Sequence, residues 1–201
     1  MTRHGRLLIC IAAAAALFGC GPVPTGMMLS SEFTPDTHPS PHAVQDADKA
    51  ALCRVRIGDV HDLRDDTLTM GAFGEFTLRA IDTASWVRAG LQSLNRDQRL
   101  LVDDGTQDSS ALVLNADLLK AYVMDSAQEA RATNVVVRVH FSRQGTVLGE
   151  KTYRGADAGL NWTGSKGETQ SSLNEALNQI VDAVDQDVMN YCGPAAAAKT
   201  Q

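Results

Sequence analysis

Four cysteines, Cys10, Cys20, Cys53 and Cys192, carry most of the reactive chemistry available to this chain of 201 residues. A thiol can close a disulfide, hold a soft metal or act as a nucleophile. Cys53 and Cys192 have no further ligands nearby in the sequence, so a metal site lacks its donor set. In an oxidising compartment an even pair reads as a disulfide. The bridge would close a loop of about 139 residues and stabilise by about 4 to 5 kcal/mol in the chain-entropy picture. Two buried thiols are the other state open to the pair.

Other candidate chemistry is thin. Gly159 to Lys166 has two glycines at the spacing of a nucleotide phosphate loop, but Ser165 stands where the lysine should follow Gly164 directly. No Gly-x-Ser-x-Gly elbow offers a serine nucleophile. Asp65-Asp66 and Asp103-Asp104 read as solvated turn residues, not as an acid/base pair. His38 and His42 have the spacing of a helical metal pair, yet prolines on both sides deny them a helix. No zinc or calcium pattern occurs, and neither a catalytic residue nor a cofactor is expected.

Cys20 differs because of what precedes it. Arg3 and Arg6 supply a basic start, Leu7 to Phe18 form an apolar run, and Leu17-Phe18-Gly19-Cys20 closes it. About a dozen apolar residues rise about 18 Å as a helix, short of a hydrocarbon core of about 30 Å, so the run is a leader and not a membrane span. The closing four residues resemble a bacterial lipobox. That resemblance implies a diacylglycerol thioether on Cys20, cleavage just before it and acylation of the new amine. Three acyl chains exceed the two signals that stable anchoring needs, at about 0.8 kcal/mol per buried methylene. An ordinary leader cut near Gly19 or Gly21 would instead leave Cys20 a thiol. Cys10 lies inside the apolar run and fits worse. Gly21, where an aspartate would retain the protein at the inner membrane, implies the periplasmic face of the outer membrane.

Residues 1–19 are thus a signal peptide. Their loss removes two of 18 basic residues and no acidic ones, leaving 16 against 24, a formal charge of −8. Such a surface opposes nucleic acid and anionic head groups. Residues 20–51 hold five of the six prolines and read as a semi-extended tether that keeps the domain tens of ångströms from the bilayer. Residues 52–192 are long enough for one core, and 193–201 read as a flexible tail.

Within 52–192 the periodicity changes from two to 3.6 and back. Leu52 to Val60 alternates as a strand with Cys53, Val55 and Ile57 on one side. Gly71 to Phe76 reads as a loop pinned to the core by Phe73 and Phe76. Asp82 or Thr83 caps a helix running to about Asn95, with Trp86, Val87, Leu91 and Leu94 on one stripe, and Gly90 marks a close approach to the sheet. Arg99 to Val102 is a short strand. Ala111 to Met124 is a long one whose alternation slips near Leu118-Leu119, as at a bulge. Thr133 to Phe141 alternates with Val135, Val137, Val139 and Phe141 inward and His140 outward. Arg143-Gln144-Gly145 turns the chain into Val147 to Arg154. Ser172 with Glu175 forms a capping box for a last helix, whose Leu173, Leu177, Ile180, Val181, Val184 and Val188 face the core. Its Asn174, Asn178, Asp182, Asp185 and Gln186 read as a solvated side. The expected fold is α+β, a two-layer sandwich of a mainly antiparallel sheet with two helices on one face.

Asp62-Leu63-Arg64 after the first strand, Ser85-Trp86-Val87 in the first helix and Lys151-Thr152-Tyr153-Arg154-Gly155 in the last strand, all behind the lipobox, resemble YajG-type lipoproteins. More distantly the order is similar to that of the auxiliary lipoproteins of ABC-type transport systems. The resemblance implies an outer-membrane lipoprotein with a binding or assembly role and no catalytic residues. The leading expectation is an envelope accessory protein that contacts a partner protein through an exposed sheet edge or the Phe73 and Phe76 loop. The alternative is a carrier that shelters a lipid or other apolar ligand between membranes. A cavity between sheet and helices favours the carrier, and a filled core favours the partner reading.

Overall fold

The computed structural model describes residues 26–35, 53–73, 76–94, 100–103, 109–125, 130–160 and 165–192. Its strands are β1 (Gly26–Leu29), β2 (Cys53–Asp62), β3 (Gly71–Phe73), β4 (Phe76–Ala80), β5 (Leu100–Asp103), β6 (Leu112–Asp125), β7 (Ala130–Arg143) and β8 (Thr146–Leu160). Two helices, α1 (Thr83–Gln92) and α2 (Lys166–Cys192), accompany them.

All eight strands form one sheet built around β6. On one side β6, β7 and β8 make a long antiparallel meander. On the other side two short strands share the length of β6: β2 runs parallel to its first half, and β3 runs parallel to its last residues. Beyond β2 lies β5, parallel, and beyond β3 lie antiparallel β4 and then parallel β1. The sheet is therefore mixed, with most of its ladder antiparallel. The alternation slip in β6 is a register shift between Leu118 and Lys120 against β7. At the β7–β8 turn Gln144 and Gly145 both take positive φ, as a tight hairpin requires.

Both helices cover one face, where Val55, Leu114, Val135, Val137, Val139 and Phe141 meet Trp86, Leu91, Leu177, Ile180 and Val184, all at most 2 % exposed. The disulfide between Cys53 and Cys192 joins the start of β2 to the end of α2, with Cα atoms 5.6 Å apart.

Several details depart from the sequence reading. Gly26–Leu29, inside the stretch read as tether, is an edge strand: Gly26, Met27, Met28 and Leu29 precede Pro35 and leave their N–H groups free to pair with β4. α2 begins six residues before Ser172. Its N-terminal hydroxyl is that of Ser165, which accepts a hydrogen bond from the Glu168 amide at 3.2 Å, so Ser165-x-x-Glu168 is the start signal. Ser172 sits inside the helix, where its hydroxyl donates to Asp157 and bonds with Thr133. The first turns of α2 carry too few apolar residues to show a helical period. Gly90 faces Leu177 of α2, whose Cδ2 would lie 2.8 Å from an added Cβ, so it admits the other helix and not the sheet.

Gly155 on β8 is the tightest approach, since a Cβ there would overlap the carbonyl oxygen of Ala176. Gly155→Ala is expected to lower stability by about 3 kcal/mol, the upper end for added volume, because backbone and not a side-chain tip must move. Urea unfolding of the oxidised protein measures it. Reduction of Cys53–Cys192 in the same assay should remove about 4 kcal/mol, given the 139-residue separation.

Candidate functional site

Cys20, His38 and His42 lie outside the described residues. Of the Phe73 and Phe76 pair, Phe73 ends β3 and stands opposite Phe76 at the start of β4. Phe76, the first residue of β4, is 43 % exposed and so is not pinned to the core. Gly159 and Leu160 end β8 and Ser165 caps α2, so those residues of the phosphate-loop spacing belong to a strand and a helix start.

The polar side of α2 is also not as read. Asn174 and Asn178 are 6 % and 5 % exposed, because residues 30–35 cross the helix there. Gln170 Oε1 accepts from the Ser30 amide at 2.9 Å, Asn178 donates to the Thr34 carbonyl at 3.5 Å, and Asn174 Oδ1 accepts from Trp86 Nε1 at 2.9 Å. Sequence spacing could not show this, since the strap comes from about 140 residues away. Beside it runs a surface groove of about 430 Å³ lined by polar residues including Ser171, Asn174 and Glu175. The enclosed crevice between Leu29, Met70, Trp86 and Leu173, by contrast, has no room for a water molecule.

Among the described residues nothing covers the sheet face opposite the helices, and its middle carries an ionic lattice made by strand register. Asp117 on β6 lies across from His61 on β2 and Arg138 on β7, and His140 lies across from Glu150 on β8. His140 Nε2 is 3.0 Å from Asp117 and its Nδ1 is 3.0 Å from Glu150. His61 Nδ1 is 3.5 Å from Asp117, and Arg138 Nε, at 3.6 Å, makes a Coulombic contact and no hydrogen bond. Burial pushes the Asp117 carboxyl up, but hydrogen bonds from His140 and His61 and the Arg138 charge outweigh it and hold the group below its usual value. His140 is outward as read, yet paired and not merely solvated. Among the described residues no group of His, Cys, Asp and Glu has an arrangement for holding a metal. The lattice holds acids against bases.

Asp62-Leu63-Arg64 forms a second, more buried cluster that orders the loop between β2 and β3. Arg64, 7 % exposed, makes a two-pronged pair with Asp62 at 2.8 and 2.7 Å and donates to the carbonyls of Thr67 and Thr69 and to Thr83 at the start of α1. Burial raises the Asp62 pKa, but the Arg64 and Thr83 hydrogen bonds and the Arg64 charge prevail, so it lies below the ordinary 3.8. A depressed folded-state pKa adds stability that is complete above the unfolded value and lost as pH falls through the folded one. Asp62→Asn should therefore flatten the acid limb of a stability-against-pH curve. Arg64→Met should cost about 3 kcal/mol at neutral pH by leaving Asp62 unpaired in a largely buried site.

Comparison with known proteins gives structures and no sequence family. No protein-family model matches the chain, and no curated protein matches it. The solved structure of protein XCC0632 from Xanthomonas campestris, described as family DUF330, superposes with a TM-score of 0.61 at 9 % identity, over 86 % of this chain and 99 % of that one. Two bacterial lipoproteins superpose less closely. A minor lipoprotein from Acinetobacter baumannii does so at TM-score 0.46 and 7 % identity, over 68 % of this chain and 92 % of its own. Lipoprotein GNA1162 from Neisseria meningitidis does so at 0.41 and 10 %, over 69 % and 99 %. The first of these likenesses shows that the chain shares the fold of the DUF330 structure.

Proposed function

We propose that this protein is a lipoprotein of the bacterial envelope, acylated at Cys20 and held on the periplasmic face of the outer membrane, that acts without catalysis by contacting a partner protein. The observation that carries this reading is the filled interface between sheet and helices, combined with a sheet whose other face is uncovered. A carrier needs space for its cargo. Here the core residues facing the helices are at most 9 % exposed, and the crevice beside Trp86 admits no water. The groove along α2 is open to solvent and lined mostly by polar residues, among them Gln170, Asn174 and Glu175.

The contact surface in this reading includes β8, which pairs only with β7 among the described strands and so presents its outer edge over Thr146–Leu160. Strand addition at such an edge gains affinity from main-chain hydrogen bonds and selectivity from alternate side chains. Glu150, Lys151 and Arg154 along it discourage indiscriminate pairing while leaving room for a partner of matching charge. The YajG-type and ABC-type auxiliary resemblances accord with an accessory role of this kind.

A photo-crosslinking residue placed at Thr152, exposed on β8, in the full chain, in intact envelopes, tests the reading. The expected result is a reproducible protein adduct that disappears with Cys20→Ala and is absent when the crosslinker replaces Gln186 on the exposed side of α2. Co-purified lipid in place of any specific protein would overturn the accessory reading in favour of the carrier.

A further inference from the structure

The chain passes from Cys20 to β1 in only six residues, and this limits where the domain can sit. Six steps of extended chain span at most about 20 Å. If Cys20 is acylated, as proposed above, Gly26 stands close to the head groups, and the end of the sheet that carries Gly26 is the end nearest the bilayer.

Strand register shows what that end is made of. Gly26, Thr77, Ala72, Met124, Ala132 and Ala158 form one continuous row across β1, β4, β3, β6, β7 and β8 on the uncovered face. The row spans about 24 Å at about 4.8 Å per strand, and it contains no charge. Phe76, Met124 and Leu160 project at the same strand ends, with 43, 50 and 56 % exposure. Behind this rim the first exposed charges on this face among the described residues are basic: Arg79, two residues on from Thr77 in β4, then Lys120 and Arg154, which share a row through Val136. The carboxylates of Asp117 and Glu150 come only in the rows beyond. Apolar tips in front of a basic belt are the arrangement of an interfacial membrane contact, in which side chains enter the boundary region and cations meet phosphates. The order is local, since the protein as a whole is acidic.

We infer that the strand-end rim of Phe76, Met124 and Leu160, backed by Arg79, Lys120 and Arg154, rests on the head-group layer of the bilayer that holds the lipid anchor. The helices then lie to one side, and the β7–β8 hairpin with Val147 points away, about 40 Å from the rim at about 3.3 Å per residue along β8.

The test uses the full acylated protein in vesicles of phosphatidylethanolamine and phosphatidylglycerol, with an environment-sensitive fluorophore on Met124→Cys, Leu160→Cys or Val147→Cys. Retention on the vesicles through flotation reads the anchor separately. The expected result is a blue shift and loss of emission with spin-labelled lipid at 124 and 160, and neither at 147. Retained protein with unquenched probes at 124 and 160, or equal quenching at 147, would overturn the rim contact and leave the anchor standing. Protein that fails to float would overturn both.

Discussion

The line that α2 takes across the sheet is the constraint on which the other contacts depend. It is set where β8 meets the helix without a side chain between them, at Gly155 and Ala176. From that approach the helix reaches β7 and β6 with its apolar stripe and α1 through Leu177 against Gly90. Its last turns are held twice more. Lys151 and Tyr153 on β8 both bond Asp187, at 2.5 and 2.7 Å, and Cys192 is bridged to the far side of the sheet at Cys53. Burial and the neighbouring Asp187 carboxylate push the Tyr153 phenol well above its ordinary range, so it remains a donor throughout the physiological range. A helix held at its middle and its last turns leaves little freedom for the layers to part.

Buried polar groups are satisfied where the chain doubles back on this frame. Arg64 spends its donors on Asp62, two carbonyls and Thr83, which ties the β2–β3 loop to the start of α1. Asn174 and Asn178 lie beneath residues 30–35, where Asn178 donates to the Thr34 carbonyl and Asn174 accepts from Trp86 of α1. Thr133, Ser172 and Asp157 close a third small cluster beneath the start of α2. In each case an unmade bond would be costly, so these contacts specify the path of loops that apolar packing alone would leave undetermined.

The two faces of the sheet have correspondingly different tasks. The covered face is filled and supports the shape. The uncovered face is graded, from an uncharged row at one end, through basic residues, to the Asp117, His140 and Glu150 lattice in its middle. A surface ordered in this way suits an oriented contact.

What the sequence determined by itself was local and periodic. The strands of alternating Val residues, the slip at Leu118-Leu119, the turn at Gln144-Gly145, the core stripe of α2, the α+β class and the Cys53–Cys192 pair are all legible because each rests on spacing along the chain or on counting cysteines. Tertiary structure decided everything that joins distant segments. It chose parallel pairing for β2 and β3 along β6, drew Gly26–Leu29 from the stretch read as tether into the sheet edge, and buried Asn174 and Asn178 under a strap some 140 residues away. It also assembled the ionic lattice from four strands and moved the start of α2 back to Ser165. The physical reason is that pairing partners and burial are set by which surfaces meet, and a single chain's periodicity records which face of an element is apolar without recording what will cover it.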